Sequence, residues 1–393
     1  MLRIANARFA IVVCALGALG ESLFYTALAP MLPSLDEQLN LGHEVAGLLV
    51  AGYAIGYVLG TYPAIRLAAS IGPRWTAVAG VLLVALATAI FALGSQLELL
   101  LAARLLVGIG SAVAYTGVLA AAGSLTGPAH RGAAIGSVYS GGAAGSAVGP
   151  LVGALAESVG RGSVFMAVAA LQLVIAGLVS RLPSVPQATG VSVRSMLENF
   201  RDPVVRMGVW ITAIPGFALG VLTVSGSYRL DEVGAGAVMI AASFSGIAVI
   251  GIFVNPNVGK LTDRIGRRLP ILLALLAAAG TLTVLALLVR AVPTMVLIAI
   301  TGALLLSIGG PGLALIGDEI QRHGGDPAVA TFLMNLGWGP SAALGAIIAG
   351  LAHGAVGAEL SLALLAVVAL GSALLVRRYV RPSPSLAPSA GSL

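Results

Sequence analysis

Twelve long apolar stretches fill almost the whole of this 393-residue chain, and charged residues make up 9% of it. Soluble domains carry roughly a quarter charged residues, because a surface facing water needs them. A chain this poor in charge is suited to lipid, where each spanning helix needs about 20 mostly apolar residues. Lipid admits helices and closed barrels alone, since only these satisfy their own backbone polar groups. Stretches of this length read as helices. They cover 9–32, 45–69, 75–95, 97–123, 132–156, 162–181, 207–228, 235–258, 269–290, 293–317, 328–351 and 358–379. The expected fold class is an all-α membrane protein with 12 transmembrane helices.

The 52 glycines would suggest loops in a soluble protein. Between membrane helices they suggest close packing, because small residues let backbones approach. Cys14 is the single cysteine, which excludes an internal disulfide and a Cys-based metal cluster. His43, His130, His323 and His353 lie far apart with no ligand spacing, so no metal site is expected. There is no P-loop to bind ATP and no cluster of catalytic groups, so neither ATP drive nor an enzyme is expected, and no cofactor.

The net charge of +6 does not point to nucleic acid. Of the 21 Lys and Arg, three (Arg161, Arg229, Arg290) fall in loops on one side of the spans. Arg104 lies inside a span, and the rest fall on the other side. Acids (Asp36, Glu37, Glu44, Asp231, Glu232) mark the poorly basic side. The positive-inside rule then puts both termini in the cytoplasm of a cell whose plasma (inner) membrane holds the chain. Arg3 and Arg8 ahead of an apolar run resemble a signal peptide. The run is too long, Glu21 interrupts it, and Pro30 follows the Ala27-Leu28-Ala29 triplet, so it reads as a retained first span.

The longest polar segment, 182–206, divides the spans six and six, and 195–200 within it reads as a short amphipathic helix on the membrane surface. Expected units are a first bundle over 1–181, a linker over 182–206, a second bundle over 207–380 and a disordered tail over 381–393. The halves look repeated. Ser70-Ile-Gly72-Pro-Arg74 follows span two and Arg264-Ile-Gly266-Arg-Arg268 follows span eight. Gly145-Ser-Ala-Val-Gly149-Pro150 in span five matches Gly337-Trp-Gly339-Pro340 in span eleven at a similar offset. Duplicated six-helix halves enclosing a midplane site are a transporter architecture.

Gly259-Lys-Leu-Thr-Asp263-Arg264-Ile-Gly266-Arg267-Arg268 resembles the Gly-x-x-x-Asp-Arg-x-Gly-Arg-Arg loop of the major facilitator superfamily. In the first half that loop is degenerate, with Ala69 and Ser70 at its acid and arginine positions. Arg104-Leu-Leu-Val-Gly108-Ile-Gly110 and Gly145-x-x-x-Gly149-Pro150-x-x-Gly153 resemble two further motifs of the superfamily. The second is common in its drug:proton antiporters, and Pro30-Met-Leu-Pro33 also fits. The resemblance implies two six-helix bundles that rock in alternating access. It also implies a gating role for Gly259, Asp263, Arg264, Gly266, Arg267 and Arg268. For Gly145, Gly149, Pro150 and Gly153 it implies a seal against proton leak, where close helix packing is the simpler alternative.

Glu21 lies about twelve residues into span one, roughly 18 Å deep at 1.5 Å per residue. An ionised acid there is costly, and such acids mark ion or substrate paths. Arg104 lies about 10 Å deep in span four and is expected to reach toward Glu21. The pair is the expected proton-coupling element. The structural alternatives are an acid that pins a neighbouring helix for Glu21 and a packing and capping arginine for Arg104. Tyr25, Tyr53, Tyr57, Tyr115, Trp210, Asn335 and Trp338 are possible cavity residues, and aromatic walls with few polar groups suit lipophilic and cationic compounds. Gly309-Gly-Pro311-Gly312 and Pro215-Gly216 are expected to break spans ten and seven.

These features predict a monomeric secondary transporter that exchanges protons for a small-molecule substrate across the bilayer, in the direction of efflux. A proton-coupled uptake symporter for a sugar or other metabolite is the alternative within the class. A membrane receptor or scaffold without flux is the alternative outside it.

Overall fold

The computed structural model describes residues 4–126, 130–185, 198–325 and 327–380. The described residues are helical almost throughout, with no strand among them. Each of the twelve expected spans is a helix or a helix pair. Their bounds are Ile4–Thr26 continued by Leu32–Leu39, then His43–Ile71, Pro73–Leu93, Leu97–Leu125, Arg131–Val159 and Arg161–Val179. The second set is Pro203–Val221 continued to Glu232, Ala237–Ile265, Arg268–Leu287, Ala291–Ser307 with Gly309–Arg322, Pro327–Val356 and Ala358–Tyr379. Eleven are long and apolar enough to cross a membrane. Span five is 29 residues long but rich in glycine and serine, which contribute little hydropathy. The segment 186–197, which holds the first half of the expected surface helix, lies outside the described residues, as does the tail 381–393, while 198–200 are helical.

Turn chemistry sets where the helices stop. Gly72 and Gly266 end spans two and eight at φ +83° and +84°, and Gly160 and Gly357 end spans five and eleven at +112° and +115°. Residues with a Cβ rarely adopt such backbone angles, so the same glycine is needed at the same place in each half. Asp202 starts span seven by accepting hydrogen bonds from Val204 N (2.7 Å) and Val205 N (3.2 Å), with Pro203 at the first helical position.

Small residues set which helices touch. Four carbonyls of span one (Ala15, Leu19, Leu23, Ala27) lie against Gly141, Gly145, Gly149 and Gly153 of span five, one per helical turn. Span seven meets span eleven in the same manner, Val209 and Phe217 carbonyls against Gly337 and Gly345. Glycine at four-residue spacing lets two backbones meet with no side chain between them.

The two ends of the molecule are packed differently. Call the end carrying Arg66, Arg74 and Arg264–Arg268 the basic face, and the end carrying Asp36, Glu44 and Glu232 the acidic face. One buried apolar cluster joins both halves at the acidic face, where Leu35, Leu49 and Phe91 share it with Leu222, Leu230 and Ile240. Nearer the basic face the core splits. One cluster (Cys14, Ala77, Val118, Val138) belongs to the first half. Another (Val209, Ile316, Ile320, Leu333) belongs to the second, with Ile65 of span two against it. The basic-face ends of spans five and eight stand clear: residues 131–133 and 252–265 are exposed or half-exposed at all positions but Thr262. The halves are thus closed together at the acidic face, while spans five and eight stand apart at the basic face.

Span seven differs from expectation. It runs unbroken through Pro215, and its irregularity comes later, as a π-helical turn over Leu222–Gly226. Gly216 explains the continuity, because it presses against the Trp338 carbonyl of span eleven and the crossing holds the helix in place. Span ten does break where expected, between Ser307 and Gly309.

Candidate functional site

Glu21 projects from span one into the interior of the first half and is 4% exposed. A buried carboxylate needs partners. Tyr53 of span two donates its hydroxyl to Oε1, and the neighbouring Ser22 donates to Oε2 at 2.8 Å. Ser111 of span four lies beside the same carboxyl group. Three helices therefore converge on one acid.

Aromatic rings continue outward from it. The Tyr53 ring stacks on Tyr25 with centroids 4.1 Å apart. Trp338 of span eleven meets Tyr25 and Tyr57 edge-on, each at 6.0 Å. Trp338 comes from the opposite half, so this ring group lies on the seam between halves, with Glu21 behind it. Tyr115 joins from the basic side: a Cβ added at Gly142 would lie 3.2 Å from its hydroxyl and 3.3 Å from that of Ser22. Tyr139 of span five packs against Tyr115 at 5.9 Å. Asn335, half-buried, sits one turn before Trp338.

Arg104 departs from the expected pairing. It makes no ion pair with Glu21. Its Nε donates to the Leu49 carbonyl at 3.2 Å, and its guanidinium sits over the rings of Phe24 (5.6 Å) and Tyr53 (5.5 Å). The close crossing of spans two and four explains this. Gly52 brings the Arg104 Cβ against span two, so the side chain is captured by that helix before it reaches span one. Nη1 is buried without a hydrogen-bond partner. The two charges communicate through Tyr53, which bonds the acid and lies under the guanidinium.

Trp210 is also not where the sequence suggested. It is 45% exposed and donates Nε1–H to Ser372 of span twelve at 3.1 Å, on the outer surface of the second half. Sequence reasoning passed over Ser22, Ser111, Tyr139 and Gln172. Gln172 is a fully buried amide in span six whose Nε2 donates to the Gly20 carbonyl, one residue before Glu21. A lone amide among apolar neighbours was the available signal.

The loop after span eight sits at the basic face. Asp263 and Arg264 are exposed, and Asp263 makes no ion pair among the described residues. Arg267 instead pairs with Asp318 of span ten. Gly259 faces open space, while Gly266 turns the chain. Arg268 begins span nine. At the acidic face Tyr228 donates to Asp36 Oδ2 at 2.7 Å, and Arg229 pairs with Glu232 and Glu359 at 3.1 and 2.8 Å. These contacts bind the closed end.

Residues 14–340 match the family described as the Major Facilitator Superfamily. Two fungal proteins called MFS-type transporter ppzB are similar to parts of the chain. The one from Metarhizium rileyi (strain RCEF 4871) is 28% identical over 44% of the chain, and the one from Metarhizium majus (strain ARSEF 297) is 30% identical over 41%. The matched stretch spans 36% of each fungal protein. Among solved structures, a bacterial homologue of the human lysosomal transporter Spinster, inward-facing and occupied, superimposes with a TM-score of 0.80 at 16% identity. That alignment covers 96% of this chain and 98% of that one. A D-xylose-proton symporter superimposes at 0.77 with 14% identity, over the same shares of the two chains. At these identities the likeness concerns the fold.

Proposed function

The chain belongs to the Major Facilitator Superfamily and is a multi-pass membrane transporter rather than an enzyme, and from that premise we propose that it exports small lipophilic or cationic compounds in exchange for protons. The observation that carries this reading is the placement of Glu21. An acid at mid-span, bonded by Tyr53 and Ser22, lies behind aromatic rings drawn from both halves. When the halves rock, Trp338 moves relative to Tyr25 and Tyr57. Glu21 then exchanges a wall of rings for access to one aqueous side. Tyr53 links the acid to the Tyr25 stack, so a proton on Glu21 and a cation on the rings compete for one site. Cation–π attraction supplies binding without a polar pocket.

In this reading the basic face is cytoplasmic, both termini lie there, and the plasma (inner) membrane holds the protein. The bundles over 1–181 and 207–380 move about the linker 182–206. The standing apart of spans five and eight at the basic face supports reading this as an inward-facing form, in which an Asp263 without an ion pair among the described residues is what a released latch requires. Gly145, Gly149, Pro150 and Gly153 seal span one to span five on the path from Glu21.

The test is flux in inverted vesicles with an imposed pH gradient and a cationic dye. Accumulation that follows the gradient supports antiport. Dye movement indifferent to the gradient overturns it, and coupled uptake in the opposite sense favours the symporter. Trp338→Ala should raise the KM for the dye roughly thirtyfold, the scale of one desolvated cation–π contact of about 2 kcal/mol. Trp210→Phe should leave KM within about twofold of wild type, since rim and lipid-facing changes cost little. Equal effects at the two tryptophans would misplace the binding site.

Asp263→Asn bears on the latch. It should leave the inward-facing form intact and lower the share of the outward-facing form about ten- to hundredfold, as expected for the loss of a charge-assisted contact of about 1.5–3 kcal/mol. Cysteine accessibility on the two faces measures that share, and an unchanged ratio would remove Asp263 from gating.

A further inference from the structure

Trp210 has no place in the transport reading, yet its ring is held in position. The indole is exposed on the outer surface of the second half, while its Nε1–H is bound by the buried Ser372 of span twelve. That bond fixes the register of spans seven and twelve against each other. An indole whose N–H is already satisfied can keep its faces against acyl chains, and tryptophan collects at the depth where chains meet headgroups.

Helix geometry carries this seam to the basic face. Arg206 lies one turn before Trp210, on the same side of span seven and about 6 Å nearer the basic end. On span twelve Gly371, Leu375 and Arg378 recur at four- and three-residue spacing and form one stripe beside Ser372. All three are exposed, and nothing lies within 4 Å of a Cβ added at Gly371. The stripe is an apolar notch that ends in a guanidinium, which sits over the Tyr379 ring at 5.4 Å. Arg206 is also exposed, and neither arginine makes an ion pair among the described residues. The acid one turn before Arg206 is Asp202, whose Oδ1 is engaged by the Val204 and Val205 N–H groups. Two uncompensated cations therefore stand at the basic end of one apolar groove.

We propose that the groove between spans seven and twelve holds an anionic phospholipid from the leaflet at the basic face. Its phosphate lies between Arg206 and Arg378, and its upper acyl chain lies against Trp210 and the Gly371 notch. A zwitterionic lipid offers the same chain without net charge, so the two guanidiniums discriminate against it. The bound lipid ties the basic end of span seven to that of span twelve. Arg377 separates such a site from a general surface charge. It is exposed at the same end of the same helix, but it lies about 100° round the helix from Arg378 and off the stripe. The proposal needs only that the chain spans a bilayer, and it does not rest on proton exchange or efflux.

The experiment reads Trp210 itself. Trp75→Phe with Trp338→Phe leaves it as the single tryptophan of the chain. The protein is placed in vesicles that mix phosphatidylglycerol with phosphatidylcholine, and one lipid or the other carries bromine high in its acyl chains. Quenching of the indole gives the ratio of association constants for the two lipids. That ratio should favour phosphatidylglycerol roughly twentyfold, about fivefold for each arginine at the membrane surface. Arg206→Gln and Arg378→Gln should each lower it about fivefold, and the double variant should bring it near one. Arg377→Gln should change it by less than about twofold, because a charge off the site acts only through a screened field. Brominated phosphatidylcholine should still quench every variant, which shows that the indole still meets lipid and that the seam is folded. A parent ratio near one, a preference that survives in the double variant, or equal losses at Arg377 and Arg378 overturns the site. Since no transport is measured, failure of the dye-flux test leaves this result standing, and the reverse also holds.

Discussion

Glu21→Gln is expected to abolish pH-driven dye accumulation while leaving dye binding and downhill exchange in place. A gradient of one pH unit is worth about 1.4 kcal/mol per proton, or about tenfold in substrate ratio, and the variant should forfeit that factor for each proton coupled. The substitution keeps the shape of the side chain. Its amide oxygen still accepts from Tyr53, and Ser22 can turn its hydroxyl to accept rather than donate, so the seat stays filled. What is lost is the capacity to gain and release a proton. The expected signature is thus loss of coupling with KM nearly unchanged. Tyr53→Phe separates two roles of the same seat. It removes a donor from a buried acid but keeps the ring under Arg104 and against Tyr25. Coupling that persists in Glu21→Gln would reduce the carboxyl group to a structural bond between spans one and two.

The spans, their repeat and the turn glycines could be read along the chain because lipid imposes its demands on contiguous residues. Twenty apolar residues in a row need no knowledge of neighbours, and Gly72 and Gly266 announce the same turn twice. The ring group was legible in kind but not in membership. Tyr25, Tyr53, Tyr57 and Trp338 do converge, whereas Trp210 faces outward, because a helix apolar on all sides gives no periodic signal for its inner face. Arg104 shows a second limit. Its burial was legible, but the Gly52 contact that turns it to the Leu49 carbonyl is a property of two helices crossing. The histidines show a third. His43 and His353 are separated by most of the chain and share no spacing pattern, yet their rings touch, because the two halves bring the start of one span against the end of another.

The glycine stripe of span five yields the largest expected loss of stability. Gly145→Leu and Gly149→Leu should each lower the yield of folded protein sharply, at a cost of about 1–3 kcal/mol or more for overpacking. A Cβ at Gly145 would press into the Leu19 carbonyl, and one at Gly149 into both the Leu23 carbonyl and the Thr26 hydroxyl. Backbone cannot move aside as the end of a flexible side chain can. Gly136→Ala on the same helix is the control, since nothing lies within 4 Å of the added carbon. It should be neutral, or gain up to about 1 kcal/mol from the better helix propensity of alanine. Thermal unfolding in detergent ranks the three. The same variants distinguish a proton seal from packing alone. Gly149→Ala, the smallest change at the crossing, should part spans one and five by about an ångström beside Glu21, since its Cβ would lie well inside contact distance of the Leu23 carbonyl oxygen. If the stripe seals the path, vesicles holding that variant should leak protons without substrate present, even where its melting temperature approaches wild type. If it only packs, leak should track unfolding and vanish in every variant that remains folded.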